Sequence, residues 1–468
     1  MNKLKKLTLF QLIGITIAFF GSVRSVPTLA INGWTGITYI VAAVIIFAIP
    51  IALIAAELAT GWSDEGGPQL WVKEGLGPKW SFVTSWILWI QMVTGMTMVG
   101  SIVGVILAYV IGIPSLSQNS IFVFICLLIS FWGVTLLNFK FNMVKVVGKF
   151  GTLIGVFIPF AALTILGVLY MFKFGINPGH YLGNFELSKL VPNIHNLGTL
   201  TYFSGIIFIF AGVEISSVHI NNIHNPKRNY PIAVIISVVI LVIVNLIAGL
   251  TVANAIPKGK IELTNVLQPF VVYTKAFHLP TIIEKIIALM IVIGVLGQMS
   301  AWVLGPAKAM IKVAEEGNLP KIFQRKTERG IPITIVIVQA IMVSLLAVSY
   351  IAIPNVNEVF FMITIVTTIL YCLVYILICI SAIRLRYTKP SIERAFRLGA
   401  NGNLVMWIVA LLALFGLILT IVISLIPPSI ISKNQDGFYI GFQVIGTIIN
   451  IIIPLLIFKF KKKSWKIE

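Results

Sequence analysis

Charge is what this sequence holds least of. Asp, Glu, Lys and Arg together make up 10% of its 468 residues, where an ordinary soluble domain carries about 25%. Hydrophobic residues make up 58%, and a water-soluble fold has no interior large enough to hide that much apolar surface. Acidic groups are scarce, with 15 Asp and Glu against 34 Lys and Arg, and there are 5 histidines. An intramembrane enzyme needs paired carboxylates or clustered histidines on facing helices. No histidine lies well inside an apolar segment, so no catalytic residue, cofactor or metal site is expected and the chain is read as not an enzyme. The three cysteines, Cys126, Cys372 and Cys379, all fall inside apolar runs. That placement suits small packing residues rather than disulfide partners or metal ligands. Long polar stretches are missing too, which excludes a soluble domain of about 100 residues and with it a sensor that carries an output domain. The N-terminus, MNKLKKLTLFQLIG, runs into an apolar segment without a cleavage-site pattern. Residue 1 is therefore read as mature and cytoplasmic.

What remains is apolar sequence in blocks. They lie at roughly 8–31, 36–60, 81–111, 120–138, 147–172, 197–220, 231–255, 281–305, 332–352, 358–383, 404–426 and 438–458. Each is close to the roughly 20 residues a helix needs to cross a hydrocarbon layer. Because lipid offers the backbone no hydrogen bonds, and no alternating barrel pattern is present, each block is expected to be a helix. The expectation is an all-α membrane protein of twelve transmembrane helices. Most of the 34 Lys and Arg fall in the two tails and in the loops after the second, fourth, sixth, eighth and tenth segments. The positive-inside rule then puts both termini in the cytoplasm. The formal charge of +19 follows from that topology and from anionic inner-leaflet lipid. It implies no nucleic-acid partner.

Three ionisable residues sit well inside these segments: Arg24, Glu57 and Glu214. An unpaired charge at a helix centre costs at least about 2.5 kcal/mol on insertion scales, so each needs an explanation. Glu57 comes near the cytoplasmic end of the second segment, where water or the basic inner loops could satisfy it, and a structural role is favoured. Glu214 lies deeper and follows Phe210, Ala211, Gly212 and Val213, which favours a functional role. Arg24 has no acidic residue at similar depth in any other segment. Binding an anionic group and snorkelling outward both fit it.

The first segment carries Gly21, Ser22, Val23, Arg24, Ser25, Val26 and Pro27 in its middle, small and helix-breaking residues where a helix would open. The sixth carries Gly205 and then Phe210, Ala211 and Gly212. Interruptions in the first and sixth helices match two inverted five-helix repeats, in which half-helix ends and freed backbone groups build a binding site near the membrane midplane. Positive helix ends suit a carboxylate and freed carbonyls suit an ammonium, so such a site fits a zwitterion.

Nearly the whole chain resembles the amino acid, polyamine and organocation permeases, in the branch that includes the bacterial glutamate/GABA antiporters. The resemblance rests on VRSVPTLA at 23–30, IPIALIAAELATGW at 49–62, EGGPQLWVKEGLG at 65–77, FAGVE at 210–214 with NPKRNYP at 225–231, and GVLGQMSAWVLGPAKAM at 294–310. It implies a LeuT-type 5+5 inverted repeat in a single domain over 1–468. The first repeat spans about 8–172 and the second about 197–383, with two extra helices at about 404–458. It also implies that Gly21, Ser22 and Val23, with Arg24 beside them, receive a substrate carboxylate. Phe208 would stand at an aromatic gate and Ala211 and Gly212 at the break of helix 6. Trp302 would close over substrate, and Glu214 would match an acidic residue linked to proton sensing. Thr364, Thr367 and Thr368 on helix 10 and Trp89 and Gln91 on helix 3 are further pocket candidates. Gln298 and Asn222 stand where the glutamate/GABA antiporters have acidic side chains, and Arg24 also replaces an acidic residue. These departures make the pocket less negative and leave tyrosine/tyramine-type exchange as open as glutamate/GABA exchange. The chain ends at Glu468, about ten residues after the last segment, so a plug of the inner mouth by its tail is not expected.

The segment EGGPQLWVKEGLGPKW mixes Trp71 and Trp80 with charges, as an interfacial helix would. Its Gly66 and Gly67 lack the Walker pattern of a phosphate cradle. His219 and His224 flank the end of the sixth segment and are read as solvated loop histidines. The expected partners are a small amino acid or amine and the lipid bilayer of a bacterial plasma membrane; a homodimer is compatible with this reading. Exchange of an amino acid for an amine or another amino acid is the expected activity, with proton- or sodium-coupled symport as the alternative.

Overall fold

The computed structural model describes residues 7–20, 23–62, 67–141, 151, 153–212, 214, 220, 223–399 and 402–466. Among these residues there is no β-strand, only isolated bridges such as Leu7 with Ile223. The helices, in chain order, are α1 (Leu9–Phe20), α2 (Val26–Ala30), α3 (Thr35–Gly61), α4 (Gly67–Leu76) and α5 (Pro78–Val110). They continue with α6 (Ser120–Lys140), α7 (Leu153–Phe174), α8 (Tyr202–Ile207), α9 (Pro226–Ala255) and α10 (Gln268–Ala276). The last five are α11 (Ile282–Val313), α12 (Ile333–Ala352), α13 (Val356–Thr388), α14 (Leu404–Ser424) and α15 (Asp436–Lys459).

Among the described residues ten helices are long and apolar enough to cross a membrane. They coincide with ten of the twelve segments read from the sequence. In the two remaining segments, 8–31 and 197–220, those expected to open, the described residues form shorter helical stretches. The first consists of α1, a 3-10 turn at Val23–Ser25 and α2. The second contains α8 and a 3-10 turn at Phe208–Phe210.

Helices α5 and α13 form the centre of the bundle. Their apolar stretches are 83% and 78% buried, against 11% for that of α15. Helix α5 packs on α11, α13, α6 and α4, and α13 packs in turn on α14 and α4. Close approach elsewhere depends on glycine. Pro159 in α7 removes the N–H that would bond the Gly155 carbonyl, and the chain passes this point in a wider π-type turn at Leu153–Phe157. Gly294 of α11 lies against that turn so closely that a Cβ on it would sit 2.5 Å from the Gly155 oxygen.

In the segment read as an interfacial mix of aromatic and charged residues, one of the two tryptophans is buried. Its helix α4 packs under α5 and α13, Trp71 is 1% exposed, and a Cβ on Gly75 would stand 2.7 Å from that of Ser381. Apolar faces that seek lipid and apolar faces that seek protein have the same spacing, so sequence alone does not separate them. Arg386, read as a loop charge, belongs to α13, which runs past the expected end at 383. Its guanidinium holds Glu57 of α3 in a two-pronged pair at 2.5 Å, with both side chains 1% exposed. Arg394 stands 3.4 Å from the same carboxylate and the Leu398 N–H donates to it at 2.9 Å. Glu57 is thus a structural anchor, held by the end of α13 and the basic loop that follows it.

Candidate functional site

The break after α8 is set by two residues. Ala211 turns to extended backbone with ψ 127°, and Gly212 adopts φ +99°, a conformation that a side chain would strain. The freed Gly212 N–H donates to the hydroxyl of Tyr375 on α13. That hydroxyl in turn donates to the carboxylate of Glu214 at 2.5 Å. One tyrosine therefore ties the broken backbone to the carboxylate that follows it. Tyr375 also stacks on Tyr371, one turn earlier on α13, with ring centroids 5.9 Å apart.

Tyr371 faces a cavity whose empty space, with the solvent at its mouth included, is about 780 Å³. Both interrupted segments contribute to its wall. Arg24, Ser25 and Thr28 come from the first, and Gly205, Phe208, Ile209 and Ala211 from the second. The rest of the wall comes from α5 (Gln91, Met92, Gly95 and Met98), from Trp302 of α11, and from α13 (Phe360, Thr364, Thr367 and Tyr371). The two segments expected to open thus meet at one cavity.

Arg24 occupies the centre of this arrangement. Its guanidinium carbon lies 5.5 Å from the centroid of the Phe208 ring and 5.6 Å from that of Trp302. Each aromatic face attracts a cation by about 0.5 to 2 kcal/mol, which offsets part of the cost of holding a charge at this depth. The guanidinium thus lies at the cavity wall against both rings. Gly95 leaves room for this, since a Cβ there would come within 3.3 Å of the Trp302 indole. Ser25 donates to Asn245 of α9 at 3.0 Å, and Thr367 donates to Thr94 of α5 at 2.7 Å.

The structure brings together Arg24, Phe208, Ala211, Trp302, Thr364, Thr367 and Gln91. Val23 and Gln298 line a second, smaller cavity that also touches Arg24. Gly212 and Glu214 stand behind the wall, joined to it through Tyr375. Trp89 and Thr368 do not line either cavity: Trp89 donates to Gln339 at 2.9 Å, and Thr368 bonds back to the Thr364 carbonyl at 2.8 Å. Gly21, Ser22, His219 and Asn222 lie outside the described residues, and His224 is exposed. The aromatic pair Phe208 and Trp302, expected to gate and close over substrate, here covers the protein's own arginine.

Reading the sequence segment by segment missed Tyr371, Tyr375, Met98 and Phe360. A signal was present in helical spacing. Phe360, Thr364, Thr367, Tyr371 and Tyr375 recur every three or four residues, as do Gln91, Gly95 and Met98, so each set lies on one helix face. Once Thr364 and Gln91 are suspected, their helical neighbours follow.

A family model for amino acid permeases matches residues 7–453. An uncharacterized transporter of Legionella pneumophila is 30% identical over 462 residues, covering 98% of both chains. A glutamate/gamma-aminobutyrate antiporter of Lactococcus lactis is 32% identical over 475 residues, covering 99% of this chain and 92% of its own. A protein of the same species named a probable agmatine/putrescine antiporter is 25% identical over 472 residues, covering 98% and 96%. This chain belongs to the amino acid permease family. It is a multi-pass membrane protein, its relatives are transporters rather than enzymes, and amino acid transport is the activity that family membership gives it.

Proposed function

We propose that the protein exchanges amino acids across a bacterial plasma membrane by alternating access, binding them in the cavity between the two broken segments. The observation that carries this reading is the meeting of both segments at one cavity. An amino acid presents a carboxylate and an ammonium only a few ångströms apart, and interrupted helices offer backbone donors and acceptors at that spacing. In this reading the chain crosses twelve times with both termini in the cytoplasm. Repeats at about 8–172 and 197–383 rock against each other, with two helices at about 404–458 outside them. Gly21, Ser22 and Val23 receive the carboxylate, and Phe208, Ala211, Gly212, Trp302, Gln298 and Thr364 shape the site around Arg24. Glu214 senses protons, and its bond to Tyr375 supplies a physical link. Ionised, the carboxylate accepts the tyrosine hydroxyl fully; protonated, it accepts more weakly and loosens the hold on the Gly212 backbone. The counter-substrate is an amine or a second amino acid, as the names of the relatives suggest. Counterflow tests the proposal. Proteoliposomes preloaded with unlabelled amino acid should take up labelled amino acid far faster than empty ones. Equal uptake in both, or strict dependence on a sodium gradient, would replace exchange by symport.

A further inference from the structure

We infer that the basic segment after α15, together with the loop that follows α11, binds the headgroups of anionic phospholipids in the leaflet it faces. That leaflet is the inner one on the topology of the proposed function, and the site is separate from the substrate cavity.

Helix α15 ends at Lys459, and the chain continues as FKKKSWK over 460–466. The side chains of Lys461, Lys462, Lys463 and Lys466 are exposed, and so are Lys321 and Arg325, which precede and follow Gln324 in the loop between α11 and α12. Gln324 joins the two stretches, because its amide donates to the Trp465 carbonyl at 2.6 Å and to the Ala314 carbonyl at 2.7 Å. Lys461 reaches Asn318 at 3.4 Å, and a Cβ on Gly317 would stand 3.0 Å from that of Lys466. Like charges gathered in this way repel one another and call for a counter-charge. The carboxylates of the adjoining turn do not supply it. Glu315 is paired with Lys326, and Glu316 with Lys73 at 3.0 Å. Among the described residues none of the six basic groups has a carboxylate partner. In open water dissolved ions would serve, but this patch sits at a membrane boundary. The apolar stretch of α15 is only 11% buried in protein and so faces lipid. Phe460 at its end is 64% exposed and Ile322 of the loop is 50% exposed. The Lys461 ammonium lies 3.9 Å from the centroid of the Phe458 ring, which holds the charge at the level where the apolar helix ends. Lysines clustered directly after a transmembrane helix attract anionic headgroups, and apolar side chains beside them enter the interface. The patch is fastened to Ala314–Asn318, the turn that continues α11, and α11 carries Trp302 of the cavity wall. A headgroup bound here therefore holds the end of a helix that lines the substrate cavity.

Ligand-induced stabilisation of the purified full chain in detergent reads this directly. The probes are dioctanoyl phosphatidylglycerol, dioctanoyl phosphatidylcholine and inorganic phosphate. The first should raise the unfolding midpoint of the native chain, and the other two should leave it in place. Added salt should weaken the effect. Combining Lys462→Gln, Lys463→Gln and Lys466→Gln should lower the affinity for phosphatidylglycerol by about fivefold per lysine, about a hundredfold in all. A control that combines Lys258→Gln, Lys260→Gln and Lys275→Gln makes the same change in net charge on exposed lysines before the opposite end of α11. It should bind phosphatidylglycerol as the native chain does. If the triple variant yields no folded protein, the native chain's ranking of the three probes decides alone. Equal stabilisation by phosphatidylcholine or by inorganic phosphate, native affinity in the folded triple variant, or an equal loss in the control overturns the inference. Binding in detergent requires no transport, so counterflow on the same preparation separates the two readings. A selective lipid site without exchange removes the transport proposal alone, and exchange without lipid selectivity removes this inference alone.

Discussion

Replacing Arg386 with methionine should be among the most damaging single changes to stability that this protein can suffer. The guanidinium gives Nε and Nη2 to the two oxygens of Glu57 and reaches the carbonyls of Leu398 at 2.7 Å and Gly402 at 3.1 Å. It therefore ties α3 to the loop that leads into α14, in a place where both side chains are 1% exposed. Breaking a buried pair by removing one partner costs about 3–5 kcal/mol, because the remaining charge is left without compensation. Arg394 at 3.4 Å and the Leu398 N–H at 2.9 Å still face Glu57, so the loss should fall toward the lower end, about 3 kcal/mol. Glu57→Gln should cost a similar amount by leaving two guanidinium groups around a neutral amide. The combination Glu57→Gln with Arg386→Met removes both members of the tight pair and leaves Arg394 alone beside the amide, and its loss should be smaller than the sum by about 1–3 kcal/mol. Unfolding in detergent followed by tryptophan fluorescence measures all four corners of this cycle. The effect should persist at high salt, in contrast to the exposed pair Lys73–Glu316, which added salt screens. Losses that simply add would mean that the two charges are not coupled, and the assignment of Glu57 as an anchor would fall.

Glu214→Gln mimics the protonated carboxylate and should flatten the pH dependence of exchange in proteoliposomes; a variant with the native pH profile would make Glu214 structural. Trp302→Ala removes one of the two faces on Arg24, worth about 0.5–2 kcal/mol, and should weaken substrate affinity severalfold in a binding assay while surface expression stays normal. Unchanged affinity would return the indole to packing. Gly212→Ala places a side chain at φ +99°, a strain of about 1–3 kcal/mol, and should slow exchange more than it lowers the unfolding midpoint; native exchange rates would show that the break tolerates other conformations.

Much of this architecture is readable in the sequence because lipid leaves few options. Ten apolar blocks correspond to ten long helices, and the break at Ala211 and Gly212 falls where Phe210 to Gly212 mark it in the sequence. What sequence does not carry is how side chains from different helices meet. Glu57 is recognisable as a structural acid near the basic loops, yet nothing in the spacing singles out Arg386 over its neighbours Arg384, Arg394 and Arg397. Trp71 has the surroundings of an interfacial residue in the sequence and is buried under the bundle. Arg24 has two open fates in the sequence, and the rings it meets, Phe208 and Trp302, lie 184 and 278 residues further along. Pairings across such distances are set by packing, not by local pattern.

Occupancy of the cavity between the broken segments by substrate is the central claim, and site-directed alkylation reads it most directly. Cys126, Cys372 and Cys379 are replaced by alanine, and Thr364→Cys places a single thiol on the cavity wall. A second variant, Leu187→Cys, carries its thiol in the exposed turn Leu187–Leu190 between α7 and α8, where the side chain is 75% exposed. Reaction with a small maleimide is followed in membranes with and without an excess of transported amino acid. Substrate should slow labelling at position 364 severalfold and leave labelling at position 187 unchanged. Equal labelling at position 364 with and without substrate, in a variant that still transports, would contradict the placement of the substrate site in this cavity.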